Sequence, residues 1–418
     1  MSMGYFEKIY LKNKKRRCSK TKKTAMGFIV VMGIVSLFAD ITHEGARSLI
    51  GPYLGLLGAS ATAVGIISGL GEFIGYGLRL LTGYLSDKTR RYWLFTFLGY
   101  GMDLFSVPLL ALAGRWEIAA MLIIMERTGK AIRKPSKDTL MSYAARNVGS
   151  GKGFAIAEVL DQIGAVSGPV ILSLILLFKS GDELTNYRLA FAILLIPALI
   201  TLVLLSISRL NFPQPKKFEV KEDKINFEGI SKSYWLYLVA ISLIAAGFAD
   251  FPLLAFHFQR IDIFNSTMIP FMYAIAMGVD AVSALIFGLF YDKVGVTSLI
   301  IASSLSIFFS PFSFLSNSSL LVILGVILWG VGMGAQESIL KSVVADIVTP
   351  EKRGTAYGFF NAIFGLFWFI GSAFMGILYD HTVVSLVVFS MIIESAAVFT
   401  LFLFKFKLVN TLNKNERG

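Results

Sequence analysis

The chain contains very little cysteine and very little charge. Of its 418 residues only Cys18 is a cysteine, and 16% are Asp, Glu, Lys or Arg. A single cysteine excludes a disulfide within the chain and a cysteine-based metal cluster. So few charges cannot cover a soluble protein of this size, and the 55% hydrophobic content indicates a chain that lies in a lipid bilayer.

Motifs of common enzyme chemistry are also missing from the sequence. It has no Gly-Lys-Ser/Thr phosphate loop, no cysteine nucleophile and no His-Glu-x-x-His metal motif, and its histidines are His43, His257 and His381. We therefore predict that the protein is not an enzyme, has no cofactor and is not driven by ATP. A membrane-embedded transferase remains an alternative.

Long apolar runs dominate what is present. A window of about 20 residues, the length of a bilayer-spanning helix, finds twelve of them. The runs lie near 25–56, 61–85, 92–113, 117–144, 153–178, 188–207, 234–257, 267–290, 297–316, 319–346, 354–378 and 383–404. This pattern predicts an all-α multi-pass membrane protein with twelve transmembrane helices.

One long polar stretch divides these runs into two sets of six. It covers 209–233 and contains two prolines and mixed charge, as is typical of a linker. We predict two pseudo-symmetric six-helix bundles, at 25–208 and 234–404. A basic segment, 1–24, precedes them, and a short tail, 405–418, follows.

Basic residues predict the orientation. If the amino terminus is cytoplasmic, the outer loops hold only four basic residues, Arg115, Lys179, Arg188 and Arg260. The positive-inside rule then places both termini and the linker in the cytoplasm, in a cell-membrane protein. Orientation and anionic headgroups account for the net charge of +12, so we expect no nucleic-acid partner.

The two halves of the sequence repeat each other. Gly83-Tyr-Leu-Ser-Asp87-Lys88 recurs about 205 residues later as Gly288-Leu-Phe-Tyr-Asp292-Lys293. In the same way, Phe38-Ala39-Asp40 recurs as Phe248-Ala249-Asp250. A nearly constant spacing indicates two homologous units. Secondary transporters often consist of such repeats, with the substrate path between them.

The repeated loop also carries a family resemblance. Gly83-Tyr-Leu-Ser-Asp87-Lys88-Thr-Arg90-Arg91 resembles the signature loop of the major facilitator superfamily, Gly-x-Leu-Ala-Asp-Arg-x-Gly-Arg-Lys, and the segment 288–295 resembles its second copy. Arg90 stands where the family pattern has glycine. The resemblance implies a twelve-helix transporter, which we expect to be a monomer, that moves a small-molecule substrate by alternating access.

A second motif bears on the direction of transport. Gly164-Ala-Val-Ser-Gly168-Pro169 in the fifth run resembles the Gly-x-x-x-Gly-Pro motif of the proton-driven exporters in that superfamily, although it lacks the further glycines. The resemblance implies antiport, so we predict efflux of a small organic solute in exchange for protons. A proton symporter or a facilitator for uptake of a polar metabolite is the alternative.

The repeated loops also predict a gate. Asp87 and Asp292 lie where a helix ends, so each carboxylate can cap a neighbouring helix and pair with a nearby cation. We predict a latch that holds the cytoplasmic ends together in the outward-open state, formed by Gly83, Asp87, Lys88, Arg91, Gly288, Asp292 and Lys293. The alternative is a charge cluster that only fixes topology.

Ionisable residues inside the apolar runs are the main site candidates, because a charge facing lipid costs several kcal/mol. Asp40, His43, Glu44 and Arg47 follow helical spacing and share one face of the first helix. We predict that this face binds protons or substrate. The alternative is a structural ion pair between Glu44 and Arg47, with His43 beside it.

The fifth run supplies two further candidates. Glu158 and Asp161 share one face of its helix. They can either carry protons or pair with Arg127 or Lys130, and the sequence leaves both interpretations open.

The second half supplies the last candidates. Asp250 precedes Pro252 in a helix that proline can break, and Asp280 lies alone in the eighth run. Both are candidates for proton or substrate binding. Glu337 and Lys341 have the spacing of an i, i+4 salt bridge.

A divalent-metal exporter is another alternative. Asp40 and His43 lie one turn apart, and His257 could supply a second imidazole. Two imidazoles at different depths make a weak donor set, so we predict no metal site. Because the embedded residues carry both signs of charge, the charge of the substrate stays open.

Overall fold

The computed structural model describes residues 3–178, 181–212, 232–349 and 353–415, and these are helical without any strand. The first half contains α1 (Met3–Leu56), α2 (Ala61–Thr89), α3 (Tyr92–Leu109), α4 (Trp116–Val148), α5 (Ser150–Leu177), α6 (Glu183–Ile193) and α7 (Leu195–Asn211). The second half contains α8 (Lys232–Gly247), α9 (Phe251–Arg260), α10 (Met268–Val294), α11 (Thr297–Ser306), α12 (Phe309–Leu315), α13 (Ser319–Ile347), α14 (Arg353–His381) and α15 (Val383–Asn415).

Eleven spans in the described chain are long and apolar enough to cross a membrane. Three of them consist of two helices each, α6 with α7, α8 with α9, and α11 with α12. The fourth predicted span corresponds to α4, which has 33 residues but is not among these eleven. Charge interrupts it at Glu126, Arg127, Lys130, Arg133, Lys134, Lys137 and Asp138. The predicted all-α, multi-pass membrane fold is confirmed. The predicted linker lies largely outside the described residues.

In both copies of the repeated loop, the residue after the helix has a positive φ. Arg90 follows α2 with φ 54°, and Gly295 follows α10 with φ 59°. Glycine adopts positive φ freely, and other residues do so at a cost of about 1–2 kcal/mol. The ψ values differ, since Arg90 has ψ 22° in the left-handed helical region and Gly295 has ψ −140°. The chain thus keeps at Arg90 the backbone turn for which the family pattern uses glycine.

We therefore expect Arg90→Gly to raise the free energy of unfolding by about 1 kcal/mol, since it relieves this backbone cost and the side chain is exposed. Gly295→Ala is the matched opposite change, because its Cβ would meet no atom within 4 Å and only backbone strain changes. Melting of the purified variants should move in opposite directions. A shift of the same sign in both would contradict this account.

The second repeat, at Phe38 and Phe248, differs between the halves. Phe38-Ala39-Asp40 lies inside the continuous α1, whereas Phe248-Ala249-Asp250 separates α8 from α9. Pro252 lies at the start of α9, and the Asp250 carboxylate accepts a hydrogen bond of 2.9 Å from Phe251 N. Trp329 Nε1 donates to Ala249 O at 2.8 Å. Proline therefore ends α8, and side chains satisfy the freed backbone groups.

The glycines of the Gly-x-x-x-Gly-Pro motif in the fifth run lie where α5 packs against α1. A Cβ on Gly164 would lie 2.4 Å from Leu37 O, and one on Gly168 would lie 2.5 Å from Ile41 O. These contacts leave no room for a side chain, so glycine is what allows the two backbones to approach. Pro169 follows inside α5.

The two halves meet at the end of the molecule opposite the chain termini, which we call the closed end. There Gly51 of α1 lies against the Pro252 carbonyl of α9. Asp380 of α14 accepts hydrogen bonds from Ala61 N at 3.1 Å and Thr62 N at 2.8 Å. A carboxylate of the second half therefore caps the first turn of α2, where a negative charge is favoured.

Candidate functional site

A cavity of about 950 Å³ lies between the two halves. Helices α1, α2, α4 and α5 of the first half line it together with α10, α13 and α14 of the second. The lining includes Glu158 and Lys341, which are exposed and lie toward the helix ends nearest the chain termini. The cavity therefore opens toward the termini.

A group of ion pairs, one of which joins the two halves, lies where the cavity approaches the closed end. Arg47 of α1 contacts Asp250 at 2.6 Å and Glu72 of α2 at 3.3 Å. Arg127 of α4 contacts the same Glu72 oxygen at 3.0 Å. The Asp250 and Arg47 side chains are 1% and 7% exposed, so the pair is shielded from water. Arg47 thus pairs with Asp250 and Glu72, and not with Glu44 as the alternative interpretation had it.

Glu44 forms a second link between the halves. Its Oε2 accepts a hydrogen bond of 2.6 Å from Tyr273 OH of α10. Its Oε1 lies 3.7 Å from Lys130 Nζ and 3.4 Å from His43 Nε2. The other imidazole nitrogen, Nδ1, contacts Glu126 of α4. Three of the four residues predicted on the α1 face, His43, Glu44 and Arg47, therefore belong to one buried network.

Asp40, the fourth residue of that face, has a different environment. It forms no ion pair within 4 Å among the described side chains. The charged groups that act on it are Asp161, Lys130, Arg133 and Lys137. Its carboxyl group therefore lies at the edge of the network without being held by it.

The two acids of α5 separate in the structure. Asp161 lies 3.7 Å from Lys137 Nζ of α4, and Lys137 also bonds to the Ser36 hydroxyl. Glu158 lines the cavity and has no ion pair with a described residue. Of the two interpretations left open by the sequence, the pairing of these acids with Arg127 or Lys130 is therefore not formed.

The second half holds two further acids near the cavity. Asp280 is 2% exposed, and its Oδ1 has no hydrogen-bond partner among the described residues. Glu337 lines the cavity. The charged groups of Glu337 and Lys341 lie more than 4 Å apart, so the expected salt bridge is not formed.

Some site residues were not predicted from the sequence. Tyr273 carries no sequence signal, since tyrosine is common in membrane helices. Lys137 does have one, because it continues a row of charges on α4, at Lys130, Arg133 and Lys134, with helical spacing. That row marks the face of α4 that contacts α1, α3 and α5; Arg133, for example, contacts Asp103 of α3 at 2.6 Å.

The predicted latch residues lie at the end near the chain termini. Gly83 lies against Pro135 of α4, and Gly288 lies against Ser338 of α13. The charged members are exposed and form no ion pair with a described side chain, namely Asp87, Lys88, Arg91, Asp292 and Lys293. Because the cavity opens at this end, the structure corresponds to an unlatched conformation, and the latch stays a prediction.

If the latch forms, Asp87→Asn and Asp292→Asn should weaken it and shift the population further toward the conformation open at the termini, by about 1–3 kcal/mol. Spin labels across that end, at exposed Tyr84 and Leu289, should report longer mean distances in the variants. Lys88→Gln, which removes a charge of opposite sign, should act in the same direction. Unchanged distance distributions with intact transport would contradict the latch.

A metal site gains little support from the described residues. Ligand atoms of His43, Asp103 and Glu126 lie within 4.8 Å of one another. However, Arg133 and Arg127 already contact Asp103 and Glu126, and two guanidinium groups oppose a further cation. His257 hydrogen-bonds Tyr379 at 2.8 Å within the second half. The suggested pairing of His43 with His257 is therefore not formed.

Two helical halves around a central charged cavity define the class of membrane transporters built from repeated units. Within that class, the chain belongs to the Major Facilitator Superfamily, whose family model matches residues 24–315 and again 233–418. The two overlapping matches fit the internal repeat of the sequence.

Comparison with individual proteins gives the same family. The chain is 39% identical over 385 residues to an uncharacterized protein of Mycobacterium tuberculosis, covering 91% of this chain and 93% of that protein. It is 25% identical to an uncharacterized MFS-type transporter of Methanocaldococcus jannaschii, covering 81% and 85%.

Two solved structures are similar in fold. The nucleoside transporter NupG has a TM-score of 0.67 at 15% identity, covering 90% of this chain and 98% of that one. A bacterial homolog of the human lysosomal transporter Spinster, in an inward-facing and unoccupied conformation, has a TM-score of 0.69 at 14% identity, covering 91% and 95%.

Proposed function

We propose that the protein is a proton-coupled secondary transporter that exports a small organic solute from the cytoplasm. A cavity that is open toward the termini and closed at the other end is one of the two states that alternating access requires. The positive-inside rule puts the open end in the cytoplasm. The similarity to a Spinster homolog in an inward-facing conformation supports this orientation.

The observation that carries the proposal is the buried network between the halves. Arg47 with Asp250 and Glu44 with Tyr273 each join one residue of the first half to one of the second. When the closed end opens and the halves separate, these contacts must break. A proton that weakens or restores them therefore changes the balance between the two states.

Asp40 is the group that we assign to the coupling proton. It has no ion pair with a described residue, and Lys130, which acts on it, also contacts Glu44 at 3.7 Å. An ionised Asp40 competes with Glu44 for Lys130. A protonated Asp40 leaves Lys130 to Glu44 and so strengthens the network that Glu44 forms with Tyr273. Proton binding at Asp40 would thus favour the state seen here.

Proton movement in proteoliposomes tests this function even though the solute is unidentified. Vesicles containing a pH-sensitive dye are challenged with four pools of small solutes: cationic, anionic, zwitterionic and neutral, the last including nucleosides. At least one pool should move protons in the absence of ATP, and protein-free vesicles should not respond. Solute uptake without any proton movement would make the protein a facilitator, and no response of either kind would reject the transport proposal.

A further inference from the structure

We infer that the cavity binds an organic cation with an apolar body, a substrate class that rests on the proposed transport function. The central observation is a group of acids that we call the carboxyl cluster, consisting of Glu158 of α5, Asp280 of α10 and Glu337 of α13. Electrostatically, Asp280 is influenced by Glu337, Glu158 and Glu44, and Glu337 is influenced by Glu158 and Glu44. The cluster lies beside the cavity between the two halves.

No cation within the described chain neutralises the carboxyl cluster. None of its three members has a basic group within 4 Å, in contrast to Glu44, Glu72 and Glu126. The cations that act on Glu337 from a distance are Lys341 and Lys130, and Lys130 is the partner of Glu44. Glu158 and Glu337 are exposed, whereas Asp280 is buried, and acids without a counter-ion attract a cation.

Polar groups beside the cluster provide independent support for a ligand. Gln336 is 6% exposed and lines the cavity, and its Oε1 has no hydrogen-bond partner among the described residues. Gln162 also lines the cavity, with its Oε1 unpartnered. Buried oxygens of this kind are costly unless a donor reaches them. Gln162 also has a side-chain hydrogen bond with Asp280. The two unpartnered amide oxygens, together with the unpartnered Asp280 Oδ1, match the N–H groups of an ammonium or amidinium ion.

An aromatic wall on α14 completes the site. Phe360 and Phe364 stack at 5.8 Å between ring centroids, and Phe364 lies 5.4 Å from Trp368. All three rings line the same cavity as Glu337. Aromatic faces attract cations, and they also accommodate apolar groups. The ligand therefore combines a positive charge with an apolar, preferably flat, body.

The same cavity is less suited to bind an anionic ligand. Arg47, Arg127 and Lys130 are already paired with acids of the network. The other lining cations are Arg79, Lys134 and Lys341. Arg79 lies over the Tyr76 ring at 4.8 Å and Lys134 lies 4.0 Å from Asp138, while Lys341 is exposed one turn nearer the termini than Glu337. An anion would be attracted at the mouth and repelled by the cluster deeper in the cavity.

The same acids can bind a proton when the ligand is absent, so cation and proton compete for one site. Groups facing the cluster that take part in this balance are Glu44 on α1, Lys130 on α4 and Lys341 on α13. Competition of this kind makes cation binding weaker at low pH, because the acids hold either the cation or a proton. The cluster thereby binds the substrate, while the coupling role stays with Asp40.

Ethidium, a flat aromatic cation whose fluorescence rises in apolar surroundings, tests the site directly in detergent-solubilised protein. We expect saturable binding that weakens on acidification. Glu337→Gln should raise the Kd about tenfold, whereas Lys341→Gln, the matched removal of the neighbouring cation, should lower it about threefold. A fluorescent anion such as fluorescein should not compete.

Each outcome bears on the inference. No ethidium binding by the wild type, equal affinity in both variants, or displacement by fluorescein would overturn it. Thermal melting without dye checks the fold, and Glu158→Gln replaces Glu337→Gln if the latter unfolds. The proton-flux assay separates the two proposals. Ethidium binding without proton movement would reject coupled transport and keep the cation site. Proton movement with only the anionic or neutral pool would reject the cation site and keep coupled transport.

Discussion

Replacing Asp250 by alanine should lower the free energy of unfolding by about 3 kcal/mol. The change leaves the Arg47 guanidinium buried beside Glu72 alone, at 3.3 Å instead of the 2.6 Å contact with Asp250. Removing one partner of a buried ion pair typically costs about 3–5 kcal/mol, and the remaining contact with Glu72 puts the loss at the lower end. Asp250 also caps α9, so denaturant unfolding should be compared with Asp250→Asn, which can still accept the Phe251 hydrogen bond.

A double variant separates the ion pair from the cap. Arg47→Met removes the cation with little change in volume. Combined with Asp250→Asn, it should recover more than half of the stability that Asp250→Asn alone loses, because no uncompensated charge remains at that contact. Strictly additive losses would show that the pair contributes no coupling energy. If Asp250→Ala lowers the free energy of unfolding by less than about 1 kcal/mol, the Arg47–Asp250 pair contributes no more than an ordinary surface ion pair.

Gradient-driven transport should disappear in Asp40→Asn, while exchange of solute across the membrane at equal proton concentration continues. Asparagine keeps the shape of aspartate but cannot take up a proton as a carboxylate does, so a coupling residue loses only the step that uses the gradient. Counterflow and proton-driven flux in proteoliposomes measure the two activities separately, and we expect a reduction of at least about tenfold in the second alone.

Asp103→Asn is the matched control for this substitution. The chemical change is the same, but Asp103 is fully buried and contacts Arg133 at 2.6 Å, so a structural role predicts lost stability. Asp40→Asn should melt close to the wild type, and Asp103→Asn should melt well below it. Lost stability in Asp40→Asn would make Asp40 structural, and full proton-driven transport would remove it from the mechanism.

The sequence predicts the fold well because its main determinants are local. Each apolar run needs only its own length to specify a spanning helix. The proline at Pro252 likewise predicts the break before α9. The repeat Phe38-Ala39-Asp40 shows the limit of this reasoning. Its copy Phe248-Ala249-Asp250 forms the break between two helices. Similar sequences therefore need not have similar backbone conformations when only one of them is followed by a proline.

The site is predicted only in part, for a physical reason. Helical spacing correctly indicates that Asp40, His43, Glu44 and Arg47 turn away from lipid, because that property depends on one helix. Partners depend on how helices from distant parts of the chain pack. Arg47 pairs with Asp250, 203 residues away, whereas the neighbouring Glu44 bonds Tyr273. No local pattern distinguishes these arrangements.

The charge on α4 has a consequence for how the protein enters the membrane. A charged residue at mid-membrane costs about 2.5–3.5 kcal/mol on insertion scales, so a helix with a row of them partitions poorly into lipid unaided. Most of the partners of α4 precede it in the chain: His43 and Glu44 on α1, Glu72 on α2 and Asp103 on α3. During synthesis, the first three helices can therefore receive α4 as it leaves the translocon. Among the ion pairs that α4 forms with other helices in the described residues, only that of Lys137 with Asp161 of α5 requires a helix that is synthesised later.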